Sequence, residues 1–212
     1  MMSMVKNQKI YAICGMLSPI VFTMLWILGG ILQPEYNHIR DDVSSLLALG
    51  APNKLLFDIM NLINYSLMTV FLIGFVLLIK ELKGSILGPV LLLISSILGF
   101  IVTLFFPLNY GGEPTGVTGT GHLIIVMLMG FIALGGMIAL WRGFRTVDEW
   151  KGYGLYSLIT VILTLIFTVL LLITTGTAIM GLTERFVIIV NGQYTFVLAL
   201  KTYLTSEYNR GE

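Results

Sequence analysis

Six long apolar segments fill most of this chain and leave only short polar stretches between them. The predicted crossings are residues 10–32, 55–79, 86–106, 120–141, 155–175 and 186–204. Each is close to the roughly 20 residues that a helix needs to cross a hydrocarbon layer about 30 Å thick. None alternates polar and apolar residues as barrel strands do, so helices are the structure that can satisfy the backbone in lipid. We therefore predict an all-α polytopic membrane protein, a bundle of six transmembrane helices that forms a single domain over residues 1–212.

Composition excludes several other classes of protein. Hydrophobic residues make up 57% of the 212 residues and charged residues 11%, whereas about 25% charged residues is usual in soluble domains. The longest non-apolar stretch, residues 33–54, is too short to bury a core of its own. A net charge of +1 gives no basic signature for a nucleic-acid partner. The single cysteine, Cys14, lies inside the first apolar segment and has no second cysteine to pair with.

The distribution of Lys and Arg predicts the orientation, because cytoplasmic loops carry an excess of these residues. Nine of the twelve fall near the termini or in the loops at 80–85 and 142–154. Arg40, Lys54 and Arg185 fall on the other side. Both termini are therefore predicted to be cytoplasmic, with the loops 33–54, 107–119 and 176–185 facing outward.

Polar side chains collect at the outward-facing helix ends. Ionisable groups in a membrane protein cost free energy unless they are solvated or paired, so their position points to function. The segment 42–49 is predicted to be a short amphipathic helix at the membrane interface. At the start of the second helix, Asp58, Asn61 and Tyr65 share one face. The predicted ligand-binding residues of an outer polar pocket are Asp42, Ser44, Asp58, Asn61, Asn64, Tyr65, Asn109, His122, Glu184 and Arg185.

Three of these residues are also the candidate catalytic groups. Ser44 and His122 could act as nucleophile and base of a membrane-embedded hydrolase or transferase at the outer face, with Glu184 or Asp42 as the orienting carboxylate. No GxSxG motif is present. His38, His122 and Glu184 could form a metal site with an open position. Their spacing contains no HxxH, HxxxH or HExxH pair, so no metal and no cofactor is predicted.

Each candidate also has a structural explanation. A lone histidine at a helix end is commonly an interfacial hydrogen-bonding group. Glu184 and Arg185 could form an ion pair that fixes one helix to its neighbour, and Arg185 could also hold a lipid phosphate.

Four short motifs occur in order along the chain: Ser44-Ser45-Leu46, Phe106-Pro107, Gly121-His122-Leu123 and Gly181-Leu182-Thr183-Glu184-Arg185. In this combination the chain resembles the DUF998 family of uncharacterised prokaryotic integral membrane proteins. The resemblance implies six membrane helices, a multi-pass protein of a prokaryotic cell membrane, and a polar signature at Ser44, His122, Glu184 and Arg185. It implies no reaction. Where the family pattern usually has Asp two residues after Phe-Pro, this chain has Asn109, which could keep a hydrogen-bonding role but not that of a general base.

Three functions follow as expectations. The first is binding or modification of a lipid or other amphiphile in an outer-leaflet pocket, with membrane lipids as partners. The second is a non-catalytic interaction or regulatory role with another membrane protein, or with a second copy of this chain. The third, transport of a neutral solute, is disfavoured by the small size of the chain and by the absence of an evident inward path.

Overall fold

The chain forms six long helices in the computed structural model, which describes residues 2–109 and 114–208. The helices are α1 (Met2–Leu32), α2 (Lys54–Glu81), α3 (Leu87–Phe105), α4 (Gly116–Gly143), α5 (Tyr153–Thr174) and α6 (Met180–Tyr208). All six are long and apolar enough to cross a membrane. No strand occurs in the described residues. The all-α, six-helix prediction is confirmed.

Several helices extend beyond the predicted crossings, including α1, which begins at Met2 rather than residue 10. Helix α4 begins at Gly116 rather than residue 120, and α6 begins at Met180 rather than residue 186. Hydropathy marks the lipid-embedded part of a helix and is blind to polar turns that continue beyond it. Glu184 and Arg185 therefore lie inside the first turns of α6 instead of in the loop before it.

The helices pack as a closed ring in chain order, and α6 completes the ring by packing on α1. We call the end that carries residues 33–53, 106–109, 114–115 and 175–179 the outer end. The inner end carries the start of α1, the end of α6 and the connections 82–86 and 144–152.

The inner half of the bundle is filled by an apolar core. Phe75 packs edge-on against Trp150 at 5.3 Å between ring centres, and Trp150 stacks on Phe144 at 4.7 Å. Trp150 is completely buried, although it belongs to the connection between α4 and α5. Met137 of α4 and Leu198 of α6 belong to the same cluster, so this core joins several helices.

The first outer loop folds back on the bundle. Its only helical part is a four-residue 3-10 helix, Ser44–Leu47, which is shorter than the amphipathic helix predicted for 42–49. Leu46 is completely buried and packs with Leu25 and Phe57. Val43 is buried in the same cluster, whereas Leu49 is 44% exposed. The position of this segment at the membrane interface stays a prediction.

Candidate functional site

Backbone hydrogen bonds join the first outer loop to the start of α6. The amides of Gly181 and Leu182 donate to the carbonyls of Arg40 (3.2 Å) and Ile39 (2.9 Å). The first amides of a helix have no partner within it, and here the loop provides two. A β carbon at Gly181 would collide with the backbone of Asp41, so a residue without a side chain is needed for this approach.

The side chain of Arg185 also bonds to the first outer loop. Its guanidinium donates to the carbonyls of Asp41 (3.0 Å) and Gly181 (2.7 Å), to the Tyr36 hydroxyl and to Nδ1 of His38 (3.2 Å). It also lies 5.4 Å from the ring centre of Trp26 and 5.6 Å from that of Tyr36, at distances typical of cation–π contacts. Arg185 is buried and makes no ion pair with Glu184 in the described part of the chain.

Glu184 points to a different neighbour, since successive residues of a helix are about 100° apart around its axis. The amide of Val43 donates to its Oε2 at 2.7 Å. Glu184 also lines a cavity of about 150 Å³ at the outer end. Adjacent charged residues of α6 thus have separate roles, one at the cavity and one in the loop.

The cavity gathers side chains from five helices and the first outer loop. Its polar lining is formed by Ser44, Asn61, Tyr65, Thr103, His122 and Glu184. Apolar walls come mainly from α1, α3, α4 and α6, and include Phe22, Val102, Val126 and Ile188. All three candidate catalytic residues are therefore at one cavity, where polar groups face an otherwise apolar space.

Asn61 carries an unsatisfied acceptor at this cavity. Its Nδ2 donates to Oγ1 of Thr103 at 2.9 Å, and Thr103 in turn donates to the carbonyl of Gly99 at 2.8 Å. Oδ1 of Asn61 is buried and has no hydrogen-bond partner in the described residues. The ring of Tyr65 packs directly on Gly99, where a side chain would displace it.

His122 is held in one tautomer. Its Nδ1 lies 2.8 Å from the carbonyl oxygen of Phe106, and a carbonyl can only accept, so Nδ1 carries the proton. Nε2 then has the lone pair of the neutral ring and makes no hydrogen bond to the described residues. This arrangement leaves one ring nitrogen able to accept a hydrogen bond or a proton.

Asp42 lies beside the cavity rather than in its lining. Its carbonyl accepts hydrogen bonds from the Tyr36 hydroxyl (3.0 Å) and from Oγ of Ser45 (2.7 Å). Burial raises the pKa of the Asp42 carboxyl. Hydrogen bonds from Ser45 and an electrostatic interaction with His122 oppose the change. The Asp42 carboxyl also interacts electrostatically with Glu184, so two carboxyl groups lie near each other on this side of the cavity.

Three other predicted residues lie elsewhere. Asp58 pairs with Lys54 one turn away at 2.5 Å. Asn64 accepts a hydrogen bond of 2.7 Å from the buried Ser18 hydroxyl and so joins α2 to α1. Asn109 donates to Oγ1 of Thr115 at 2.7 Å within its own loop. Oδ1 of Asp58 is buried and has no hydrogen-bond partner in the described residues, and none of the three residues lines the cavity.

Several residues of this region were missed at the sequence level. Tyr36 and His38 position Arg185, and Thr103 positions Asn61. Gly29 and Gly30 leave the space that the side chains of Leu46 and His38 occupy. The Gly29-Gly30 pair near the end of an apolar helix is the signal that could have indicated close packing of another segment.

Among residues 2–109 and 114–208, no group of three or more His, Cys, Asp or Glu is placed to hold a metal ion. His38 bonds to Arg185, whereas His122 lines the cavity. The two histidines thus do not join Glu184 in one cluster.

Comparison with known proteins identifies a family but no activity. A family model described as a protein of unknown function, DUF998, matches residues 16–201. The resemblance inferred from the four motifs is thereby confirmed over most of the chain. No curated protein and no solved structure matches it.

Proposed function

We propose that this chain, which belongs to the DUF998 family and is a multi-pass membrane protein, binds one end of a lipid or other amphiphile in the outer cavity. The mixed lining supports this, because an amphiphile needs polar partners next to apolar walls. A cavity of about 150 Å³ is smaller than the roughly 300–1,000 Å³ of sites for drug-sized ligands. A cavity of this size suits a headgroup or part of one, with the acyl chain of the ligand outside the cavity in the membrane.

The observation that carries the proposal is the unpartnered Oδ1 of Asn61. A buried acceptor without a hydrogen bond costs about 1–3 kcal/mol, which a ligand with a donor group would offset. Nε2 of His122 is a second free acceptor, and the carboxyls of Glu184 in the lining and of Asp42 beside it are further hydrogen-bonding groups. The nearby cation Arg185 does not line the cavity, and its two terminal nitrogens are bonded to protein acceptors, whereas its buried Nε has no partner in the described residues. We therefore infer a hydroxyl- or amine-bearing headgroup rather than a phosphate held by Arg185.

A second candidate function is hydrolysis or transfer of an acyl group at the same cavity. The fixed tautomer of His122 favours it, since the Phe106 carbonyl holds Nδ1 and leaves Nε2 able to take a proton. In such a reaction the Ser44 hydroxyl would lose its proton to Nε2 as its oxygen attacks an ester carbonyl. The proton would then pass to the departing alcohol.

The experiment is native mass spectrometry of the detergent-purified chain with a monoacylglycerol and with the methyl ester of the same fatty acid. The methyl ester lacks the hydroxyl donors, so we expect it to bind roughly tenfold more weakly. Asn61→Leu should remove that preference. Asn191→Leu is the matched control, because Asn191 bonds to Val187 within α6 and does not line the cavity.

Different outcomes separate the alternatives. Equal binding of the two compounds would contradict headgroup recognition. No adduct with wild type, together with lowered thermal stability of Asn61→Leu, would favour a non-catalytic interaction protein in which the polar cluster is structural. Fatty acid released from the monoacylglycerol by wild type but not by Ser44→Ala would support the acyl-transfer function.

A further inference from the structure

A second and larger cavity lies at the inner end, where α4 passes into α5. Its volume is about 350 Å³, within the range of ligand sites. The lining includes Trp141 from α4, Arg145 and Lys151 from the connection, and Leu155 and Leu158 from α5. Neither the family match nor the outer cavity accounts for it.

The cationic side of this groove is largely unneutralised. The guanidinium of Arg145 lies 4.8 Å from the ring centre of Trp141, and that of Arg142 lies 5.7 Å from the same ring. Neither arginine makes an ion pair with a described residue. Lys151 pairs with Asp148 at 2.7 Å, but these side chains are 72% and 85% exposed. Such exposed pairs contribute little, so Lys151 can exchange its partner for a ligand anion.

The other side of the groove is apolar and lies on the exposed surface of the bundle. Leu155 is 63% exposed, and the exposed Ile159 and Ile162 continue this surface along α5. Trp141 lies between the charged and apolar parts, a position that tryptophan favours at membrane interfaces. A free phosphate would use only the cations, whereas a phospholipid would use both parts.

The backbone makes the groove a preformed feature. Gly152 has a φ of +89°, in the left-handed region that favours glycine. A β carbon at Gly154 would come within 2.9 Å of the Trp141 carbonyl, so α5 starts close against the end of α4. Between them, Trp150 is anchored in the inner core by its stack on Phe144. Arg145 and Lys151 therefore extend from a backbone segment that these contacts hold in place.

We propose that this groove binds the headgroup of an anionic phospholipid in the leaflet at the inner end. Arg145 and Lys151 hold the phosphate, Arg142 adds to the positive field, and an acyl chain lies along Leu155 and Leu158. Basic pockets between membrane helices bind such headgroups. A zwitterionic lipid is disfavoured because its own ammonium group is repelled by the same cations.

The test is native mass spectrometry of the full chain titrated with phosphatidylglycerol and with phosphatidylcholine of the same acyl chains. We expect wild type to prefer phosphatidylglycerol. Arg145→Gln and Lys151→Gln should each weaken it by about fivefold, since a basic residue near a lipid surface contributes about 1 kcal/mol. Asp148→Asn should strengthen binding, because it removes the carboxylate that competes for Lys151.

Lys80→Gln is the matched control, since it removes the same charge from an exposed position at the end of α2. Equal weakening by Lys80→Gln would overturn the proposal in favour of a general effect of net charge. Unchanged binding in Arg145→Gln, or equal binding of phosphatidylcholine, would also overturn it. Displacement of the lipid by millimolar inorganic phosphate would indicate a site for free anions instead. Thermal unfolding of each variant verifies that the fold is intact.

Discussion

Arg185 has no equivalent replacement among the natural side chains. Its planar guanidinium bonds at once to two carbonyls, a hydroxyl and an imidazole, whereas lysine has a single nitrogen. Each buried acceptor left without a donor costs about 1–3 kcal/mol. We expect Arg185→Lys to lower the Tm in detergent by several degrees, while the exposed Arg142→Lys leaves it unchanged. Equal Tm values for the two variants would contradict the role given to Arg185.

His38 makes the attachment of the outer loop depend on pH. Burial, together with the charge of Arg185, lowers the pKa of His38 below its ordinary value of 6.5. As pH falls below 6.5, the unfolded chain takes up a proton before the folded one does, so the contribution of His38 to stability is complete above pH 6.5 and declines below it. Protonation would also remove the acceptor at Nδ1 and place a second positive charge beside Arg185.

The measurement is the Tm of wild type and His38→Gln at pH 7.5 and 5.5. Glutamine keeps an acceptor for Arg185 but does not titrate, so the variant should lose less stability on acidification. Asp42 has a raised pKa and acts with the opposite sign, because folding then favours the protonated carboxyl. Asp42 is present in both proteins, so the difference between their changes in Tm with pH reports the effect of His38. Parallel pH dependences would contradict this prediction.

At the scale of elements, the joint between the first outer loop and α6 depends on one glycine. Gly181→Ala would bring a β carbon against the backbone of Asp41 and push the loop away from the first turn of α6. We expect faster hydrogen exchange across residues 36–47 and a lower Tm. Gly130→Ala in α4 is the control, since nothing lies within 4 Å of its added carbon. Unchanged exchange in Gly181→Ala would show that the loop is held elsewhere.

The loop also marks the limit of what could be predicted from sequence. The six crossings were predictable because lipid imposes one requirement, an apolar run of sufficient length, on each of them. The docking of residues 33–53 depends on glycines at Gly29 and Gly181 and on backbone carbonyls, which leave no periodic pattern. The segment 42–49 has an apolar face in sequence, but whether that face meets lipid or α1 depends on the tertiary structure.

The same limit applies to the candidate site. Asn61 and Asn64 are one turn apart on α2, yet Asn61 lines the cavity and Asn64 bonds to Ser18 on α1. Glu184 and Arg185 are adjacent, and only Glu184 lines the cavity. The concentration of polar residues at the outer ends was visible in the sequence. The sequence did not show which of them line the cavity, because that depends on the rotation of each helix against its neighbours.

At the scale of the whole molecule, the distribution of Lys and Arg predicts that the outer end faces away from the cytoplasm. In a Cys14→Ser background, cysteine at the exposed Glu35 of the first outer loop should react with a membrane-impermeant maleimide in intact cells. Cysteine at the exposed Glu149, in the connection between α4 and α5, should react only after permeabilisation. The reverse pattern would invert the predicted orientation and place the larger cavity in the outer leaflet.

The contacts of Arg185 also set an order for biogenesis. Its bond to the Asp41 carbonyl joins residues 144 positions apart, and the bond from the Val43 amide to Glu184 spans 141. The ribosome therefore completes the first outer loop long before it makes the helix that fastens it. Until α6 has entered the membrane, the nascent chain lacks Glu184 in the cavity lining. It also lacks Arg185, which bonds to the first outer loop. A chain that stops translation before residue 180 would keep the packing of Leu46 against α1 and α2 but lose the bonds that join the loop to α6.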